Sequence, residues 1–341
     1  MTPQETIKFA YAKGFEKADK ELVEVSFSLL ETEAYRKWKE KRGIEAKDIE
    51  ISLEKTGLSR RDKRGSLLPT RAAVMLFADY PTDLMETKCA IRVFQYTGRL
   101  EEFKEAPNLM GTPKTIQGPI IKQIKEAHEY VLSLLRSGIT VPSGFVTKYQ
   151  IPERAVKEAI TNAVIHRDYH IKRDIEIKIF EDRVEIDNPG LFPYNITPAN
   201  IGHVRSEGFR NDLLVKHLRE FPSPPNLDRN EGVQAMRSEM KSQNLYPPIF
   251  WTYPKMQDTV RVILLNEEVI NEWGKVSYYL GKNKYITNEE ARKITGIIQR
   301  DKMTKILKGW VNHGLLIQIK PKSGYVKGTQ YRLPGTAEID K

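Results

Sequence analysis

The chain has 341 residues, 40% hydrophobic and 29% charged, with a single cysteine, Cys89. That length allows two or three domains and a sizeable core. One cysteine excludes an intrachain disulfide framework and a multi-cysteine metal centre; no apolar run reaches bilayer-spanning length, and the opening MTPQETIKFAYAKGFEK has no secretory apolar core, so no membrane partner and a cytoplasmic location are expected. Net charge is +10, and it is unevenly placed. Residues 282–332 hold twelve Lys/Arg against Glu289, Glu290 and Asp301, a local +9. A basic module of this kind points to a polyanion partner, nucleic acid being the commonest; a solvated basic surface is the plainer alternative.

In chain order, residues 1–65 read as a charged, mostly helical segment. ELVEVSFSLLETEAYRKWKEKR is a candidate helix there, and SRRDKRGS an exposed turn or linker. Residues 66–145 read as a small α/β portion. RAAVMLF is a buried segment, CAIRVFQYTG (89–98) a strand with Cys89 as a small core residue, and GPIIKQIKEAHEYVLSLLRSG (118–138) a helix. Its apolar positions Ile120, Ile121, Ile124, Ala127, Val131, Leu134 and Leu135 have helical spacing, and Gly138 is the stop.

Residues 146–268 read as a third unit. Pro152 marks a helix start, and the helix extends to about His166. RDIEIKIFEDRVEIDNPGLF alternates as a β-hairpin with its turn at Glu181–Asp182. Residues 193–230 are rich in Pro, Asn and Gly around one short helix, NDLLVKHLREF; EGVQAMRSEMKSQ is a further helix and TVRVILL (259–265) a closing strand. In residues 269–341 three short helical patterns precede two strands, LLIQIK and YVKGTQYRL, joined by PKSG. That is the order of a winged helix.

The helix after Pro152 carries an unusual stripe. Glu158, Asn162 and His166 recur every four residues and so stack in a polar line, beside an apolar face of Ala155, Val156, Ala159, Ile160, Ala163 and Val164. An ordinary amphipathic helix with a polar edge is the simpler reading of such a pattern.

The stretches PERAVKEAITNAVIHRDY (152–169) and VEIDNPG (184–190), with the pair Arg210 and Asn211 and the EGV beginning at Glu231, resemble the GHKL ATP-binding fold shared by gyrase, the MutL mismatch-repair proteins and histidine kinases. They resemble more closely the RecG-like transcriptional regulators that carry this domain. The resemblance spans roughly residues 70–265. It implies an α+β protein: a GHKL-like α/β sandwich nucleotide domain with an N-terminal α/β portion and a C-terminal winged helix. The subfamily usually begins with a Schlafen-type AlbA domain, which is not recognised here, so a fragment or short form is expected.

The resemblance also implies site residues. Glu158 would polarise water as a general base, and the Asn162 carbonyl oxygen would join a Mg²⁺ shell. Asp187 would accept from the adenine amino group, selecting adenine over guanine, and Gly190 would let backbone approach the base. Asp-Asn-Pro-Gly is equally good turn chemistry. Arg205, Arg210 and Asn211 become candidate phosphate contacts in a lid spanning 195–212, and Gly232 opens a helix whose N–H groups could receive a phosphate. His166 has no fixed role in the wider fold; a phosphate contact or a bond to the following turn are open, the second favoured. The sequence departs from the pattern at Asn230, where glycine is usual, and in lacking a second glycine after Gly190.

HRDY is not a kinase catalytic loop, because position 173 is Arg where Asn is required. His166 and His170 do not make a zinc-protease pair, because position 167 is Arg and not Glu. No GxxxxGK[ST] exists, which excludes a conventional helicase motor. In the tail, Gln299, Arg300, Lys302, Lys305 and Lys308 would face outward from a third helix that buries Met303, Ile306, Leu307, Trp310 and Val311, with Lys320, Lys322 and Lys327 on the wing. A winged helix used for protein contact is the alternative. The expected function is a DNA-binding transcriptional regulator with ATP as a switch, with a homodimer as a further candidate partner. A slow Mg²⁺-dependent ATPase and a degenerate scaffold without nucleotide are the competing readings.

Overall fold

A computed structural model of the chain describes residues 6, 17–85, 87–99, 101, 108–140, 146–192, 195–204, 206, 208–225, 232–253, 255–320 and 328–334. Helix α1 (Glu33–Lys41) starts where the Thr32 hydroxyl accepts from the Tyr35 N–H, and it buries Tyr35 and Trp38. Asp48 caps α2 (Ile49–Thr56), and Gly57 at φ +78° ends it in the left-handed conformation. Of the two readings of the basic run, turn or linker, it is the turn, and it joins two short strands of a hairpin. Strands β1 (Ser59–Arg61) and β2 (Leu67–Pro69) pair antiparallel, and the Asp62 carboxylate closes the turn by accepting from the N–H groups of Arg64 and Ser66 at 2.9 and 2.8 Å. RAAVMLF is helix α3 (Arg71–Phe77), buried from Ala72 onward, and α4 (Pro81–Leu84) comes after it.

Next come β3 (Ile91–Gln95), β4 (Lys114–Ile116) and the long α5 (Ile120–Ser137) with Gly138 as its C-cap, then the two-residue strands β5 (Ile139–Thr140) and β6 (Val146–Thr147). Helix α6 (Glu153–His166) leads into the hairpin β7 (Ile175–Ile179) and β8 (Arg183–Pro189). Helices α7 (Asp212–Leu218) and α8 (Gly232–Ser242) and strands β9 (Ile249–Trp251) and β10 (Thr259–Leu265) complete this part. The strands form one six-stranded sheet in the order β4-β3-β7-β8-β10-β9, parallel only between β3 and β7. The fold is therefore mixed α+β.

Division at 65/66 and 145/146 does not survive as separate cores. Ile91 pairs with Ile175, so the strand before 145 extends the sheet after it. Leu30, Tyr35, Trp38 and Leu53 lie in the same core as Phe77, Val164 and Leu214. Asp19 reaches across the chain and accepts from the N–H groups of Leu213 and Leu214 at 2.8 and 3.0 Å, capping α7. Cys89 is buried beside Thr82, and burial pushes its thiol up, in keeping with a core role. No helix among the described residues is long and apolar enough to cross a membrane.

The tail comprises α9 (Asn271–Leu280), β11 (Ile286–Thr287), α10 (Asn288–Thr295), α11 (Arg300–Asn312), β12 (Ile317–Ile319) and β13 (Gln330–Arg332), with an antiparallel sheet ordered β11-β13-β12. Thr287 and Glu290 make a capping box at the start of α10. This module packs on the far face of the large sheet. Trp273, Val276, Leu307 and Trp310 share a core with Tyr246, Ile249, Ile263 and Leu265. Trp310 Nε1 donates to the Tyr246 hydroxyl at 3.0 Å, and Trp251 Nε1 to the Gly314 carbonyl at 3.4 Å. A Cβ on Gly314, which has φ +79°, would overlap the Trp251 ring. His313 lies 3.4 Å from Glu267 across the same seam, and Arg99 reaches Glu267 from the sheet side at 3.6 Å.

A second polar knot ties the N-terminal segment to the loop after α6. His170 Nδ1 lies 3.0 Å from Asp168 and Nε2 2.7 Å from Glu21, which Arg71 also engages. Burial opposes the imidazolium, but the hydrogen bonds and negative charge of Asp168 and Glu21 outweigh it and hold His170 above its ordinary 6.5. The stabilisation is fully present below about pH 6.5 and is lost as pH rises through the elevated value, by about 1.4 kcal/mol per pK unit of elevation. Urea unfolding of the wild type is expected to show stability declining above pH 6.5, a component absent in His170→Gln. Equal slopes for the two proteins would remove the assignment.

Candidate functional site

Helix α6 owes its position to both faces of its pattern. Ala155, Val156, Ala159, Ile160, Ala163 and Val164 are buried in the core. Arg136 of α5 pairs with Glu153, and His128 of α5 sits 3.2 Å from the Thr161 hydroxyl. On its other side Arg154 pairs with Glu239 of α8 at 3.2 Å. The remaining edge of α6 is the polar stripe, and Glu158, Asn162 and His166 all line one cavity.

That cavity lies between α6, α8, described residues between 191 and 209, and the near face of β8, β9 and β10. Its walls are mainly apolar: Leu191, Phe192, Ile201, Met236, Phe250 and Val262 among them. Phe192 and Phe250 meet at 6.2 Å and 58°. The cavity volume is about 180 Å³, smaller than the roughly 300–1,000 Å³ usual for drug-sized ligands. A base-sized group fits such a space, and the phosphates of a nucleotide would have to lie along the polar end.

Three expected residues meet at that end. A Cβ on Gly232 would stand 2.9 Å from Glu158 Oε2 and 3.0 Å from Asn162 Nδ2. A side chain at 232 would have to displace the ends of Glu158 and Asn162. Glu158 is only 8% exposed. Oxygen donors of this kind suit a hard cation such as Mg²⁺. The first turn of an eleven-residue helix adds N–H groups without intrahelical partners.

His166 also reaches the cavity rather than only bonding the following turn. Its ring stacks on Phe209 at 5.7 Å and 11°, and its Nδ1 is buried without a hydrogen-bond partner. Burial, reinforced by the Arg210 guanidinium, pulls His166 down to about 4, so the ring is neutral at pH 7.

Other expected contacts go elsewhere. Asp187 is on the opposite face of β8, where Arg261 clamps it through two hydrogen bonds of 2.5 and 2.6 Å. The residue presented to the cavity is its neighbour Asn188, 7% exposed, whose Oδ1 is buried without a partner. Strand alternation explains the difference: Val184 and Ile186 point to the core, so position 188 shares their face and 187 does not. That alternation was readable in VEIDN and is the signal that identifies Asn188.

Arg210 and Asn211 hold protein, not the cavity. Arg210 donates to the carbonyls of His166 and Leu191 at 3.2 and 2.8 Å, and Asn211 Nδ2 to those of Ile165 and Arg167 at 3.0 and 2.8 Å. They satisfy carbonyls at the C-terminal end of α6, which no helical N–H can reach. Gly190, at φ +121°, makes room for this clamp, since a Cβ there would overlap the Arg210 guanidinium and lie 2.9 Å from Asp168 Cβ. Arg205, Lys322 and Lys327 lie outside the described residues. In the tail, Gln299, Arg300, Lys302, Lys305, Lys308 and Lys320 are all exposed, while Met303, Leu307 and Trp310 are buried and Ile306 and Val311 partly so.

Comparison with known proteins covers part of this picture. Residues 172–264 match the family model HATPase_c_4, described as "Putative ATP-dependent DNA helicase recG C-terminal". The match takes in β7 to β10, hence Asn188 and Gly232, but begins after the stripe on α6. No curated protein matches the chain. Among solved structures, the chain is similar to the DIP2311 protein from Corynebacterium diphtheriae, with 17% identity and a TM-score of 0.53 over 96% of this chain. It spans 66% of that protein's chain, and at this identity the likeness concerns the fold alone. Together these findings support a RecG-like, ATPase-type domain in the middle of the chain.

Proposed function

We propose that this chain is a DNA-binding regulator whose conformation responds to a purine nucleoside triphosphate, ATP in the first instance. The observation that carries the reading is the convergence of Glu158, Asn162, His166, Asn188 and Gly232 on one apolar-walled cavity. The base would occupy the apolar part, against Phe192 and Phe250. The first turn of α8 would receive phosphate at Gly232. The Asn162 carbonyl oxygen would join the Mg²⁺ shell, and the ion when bound supplies positive charge against the phosphate oxygens. Glu158 is the one carboxylate of the stripe and the candidate base for polarising water, so slow hydrolysis is the second reading.

The tail favours DNA as the partner. Three helices followed by a strand pair, with β11 completing the sheet, is the element order of a winged helix, with α11 in the place of a recognition helix. Exposed Lys302, Lys305 and Lys308 lie on one helix face and Met303, Leu307 and Trp310 on the other. Coupling between cavity and tail has a short physical route. Phe250, Val260 and Val262 face the cavity, while Ile249, Ile263 and Leu265 of the same two strands face the tail core. A ligand that favours one placement of β9 and β10 would thereby bias the tail, provided it binds the two placements unequally.

Thermal unfolding with and without ATP and Mg²⁺ tests the nucleotide arm. At a hundredfold excess over Kd the wild type should gain about 2.7 kcal/mol, a rise of several degrees. Gly232→Val, which fills the gap beside Glu158 and Asn162, should melt without any nucleotide-dependent rise. Glu158→Ala separates the two readings: retained binding with loss of a wild-type turnover marks an enzyme, whereas absence of turnover in the wild type marks a switch. An unshifted wild-type melt in saturating ATP would refute both.

For the tail, DNA affinity should fall linearly with the logarithm of salt concentration, and Lys305→Ala or Lys308→Ala should each reduce that slope by about 1. Affinity indifferent to salt would exclude the phosphate-contact account.

A further inference from the structure

The polar groups on the base-sized part of the cavity share a chemical property. Asn188 carries a carboxamide, which can accept through Oδ1 or donate through Nδ2. Its Oδ1 is buried without a partner, and no described residue donates to or accepts from its side chain in a way that fixes the amide's orientation. His166 is neutral at pH 7 because burial depresses its imidazole, and its Nδ1 is likewise buried without a partner. A neutral imidazole whose Nδ1 is unbound can adopt either tautomer, offering an acceptor or a donor at that nitrogen. Asp187, the strand carboxylate next to Asn188, is turned to the far face and held by Arg261, and the Glu158 carboxylate belongs to the polar end beside Gly232.

Adenine and guanine differ at the edge such groups read. Adenine presents an amino donor where guanine presents a carbonyl acceptor, and the adjacent ring nitrogen accepts in adenine and donates in guanine. A one-way acceptor such as a carboxylate pairs with the first and leaves the second unmatched, and sites built on one-way hydrogen bonding discriminate by large factors. A group that can turn over serves both. A half-turn of the Asn188 amide exchanges Oδ1 for Nδ2, and a change of tautomer at His166 exchanges acceptor for donor.

We infer that this cavity is a purine-nucleotide site that does not select adenine: Asn188 recognises the base edge, and ATP and GTP bind with similar affinity. The inference rests on the reading of the cavity as a purine-nucleotide site and adds which purines it accepts. Leu191, Phe192, Phe250 and Val262 offer apolar contact only, and of the other polar side chains on the wall Arg154 pairs with Glu239 and Ser206 donates to the Gly208 carbonyl. A pyrimidine, with one ring in place of two, covers less of that wall and should bind more weakly.

Titration calorimetry of the full chain in Mg²⁺ with ATP, GTP and CTP tests this. ATP and GTP should bind within about tenfold of one another, with CTP weaker than both. Asn188→Asp replaces the reversible amide with an acceptor, and should keep ATP binding while weakening GTP by about a hundredfold. Melting of Asn188→Asp without nucleotide checks that it is folded; should it fail to fold, the wild-type ATP-to-GTP ratio alone decides. Wild-type binding of ATP a hundredfold or more tighter than GTP would overturn the inference and leave the nucleotide site standing. No binding of any of the three would overturn the site itself.

Discussion

Everything in this molecule that concerns ligand and partner depends on one property of β8, β9 and β10: successive side chains point to opposite faces. On the near face, Val184, Ile186 and Asn188 of β8 and Val260, Val262 and Leu264 of β10 look toward the helices and the cavity. On the far face, Asp187, Glu185 and Arg261 form an ion-pair cluster, and Ile263 and Leu265 receive the tail. The sheet is thus a partition one side chain thick on either hand. It separates a pocket from a basic module and gives each a firm wall. A shift of one residue in register would exchange the two faces, putting Asp187 in the cavity and Asn188 among the charges.

The second determinant is how the C-terminal end of α6 is held. A helix end buried in protein must find donors for its last carbonyls, and leaving a buried polar group unsatisfied costs about 1–3 kcal/mol. Arg210 and Asn211 supply those donors, and Gly190 leaves space for the Arg210 guanidinium. Residues that look like phosphate binders in sequence thereby act as positioning residues: they fix the helix that carries Glu158, Asn162 and His166. Arg154 and Glu239 then tie that helix to α8, which brings Gly232 to the stripe. The geometry of the polar end comes from packing and backbone satisfaction, before any ligand enters.

Much of this was legible from local pattern. The stripe and apolar face of 153–166, the hairpin about Glu181–Asp182 and the strand TVRVILL all lie where their periodicity puts them, because each buries a face whose repeat is written in consecutive residues. Counting that same alternation from Val184 and Ile186 would have named Asn188; adopting the Asp-Asn-Pro-Gly pattern of the wider fold led to Asp187. Long-range partners were not legible. Nothing near Asp19 indicates that it caps α7, nearly two hundred positions away, and nothing near Gly314 indicates a tryptophan ring from β9. The SRRDKRGS run left turn and linker open because its charges suit both, and the deciding feature is a single aspartate closing a turn between two short strands. The joining of residues 66–145 to residues 146–268 in one sheet was hidden for a related reason, since pairing of β3 with β7 is a contact between distant segments.

A crystal structure of the full chain with Mg²⁺ and a non-hydrolysable ATP analogue addresses the central claim most directly. The account predicts the purine against Phe192 and Phe250 with its edge at Asn188, the phosphates beside Gly232, and the cation against Asn162. An analogue bound on the Asp187 face of the sheet, or a cavity that stays closed by its own side chains in saturating analogue, would contradict it.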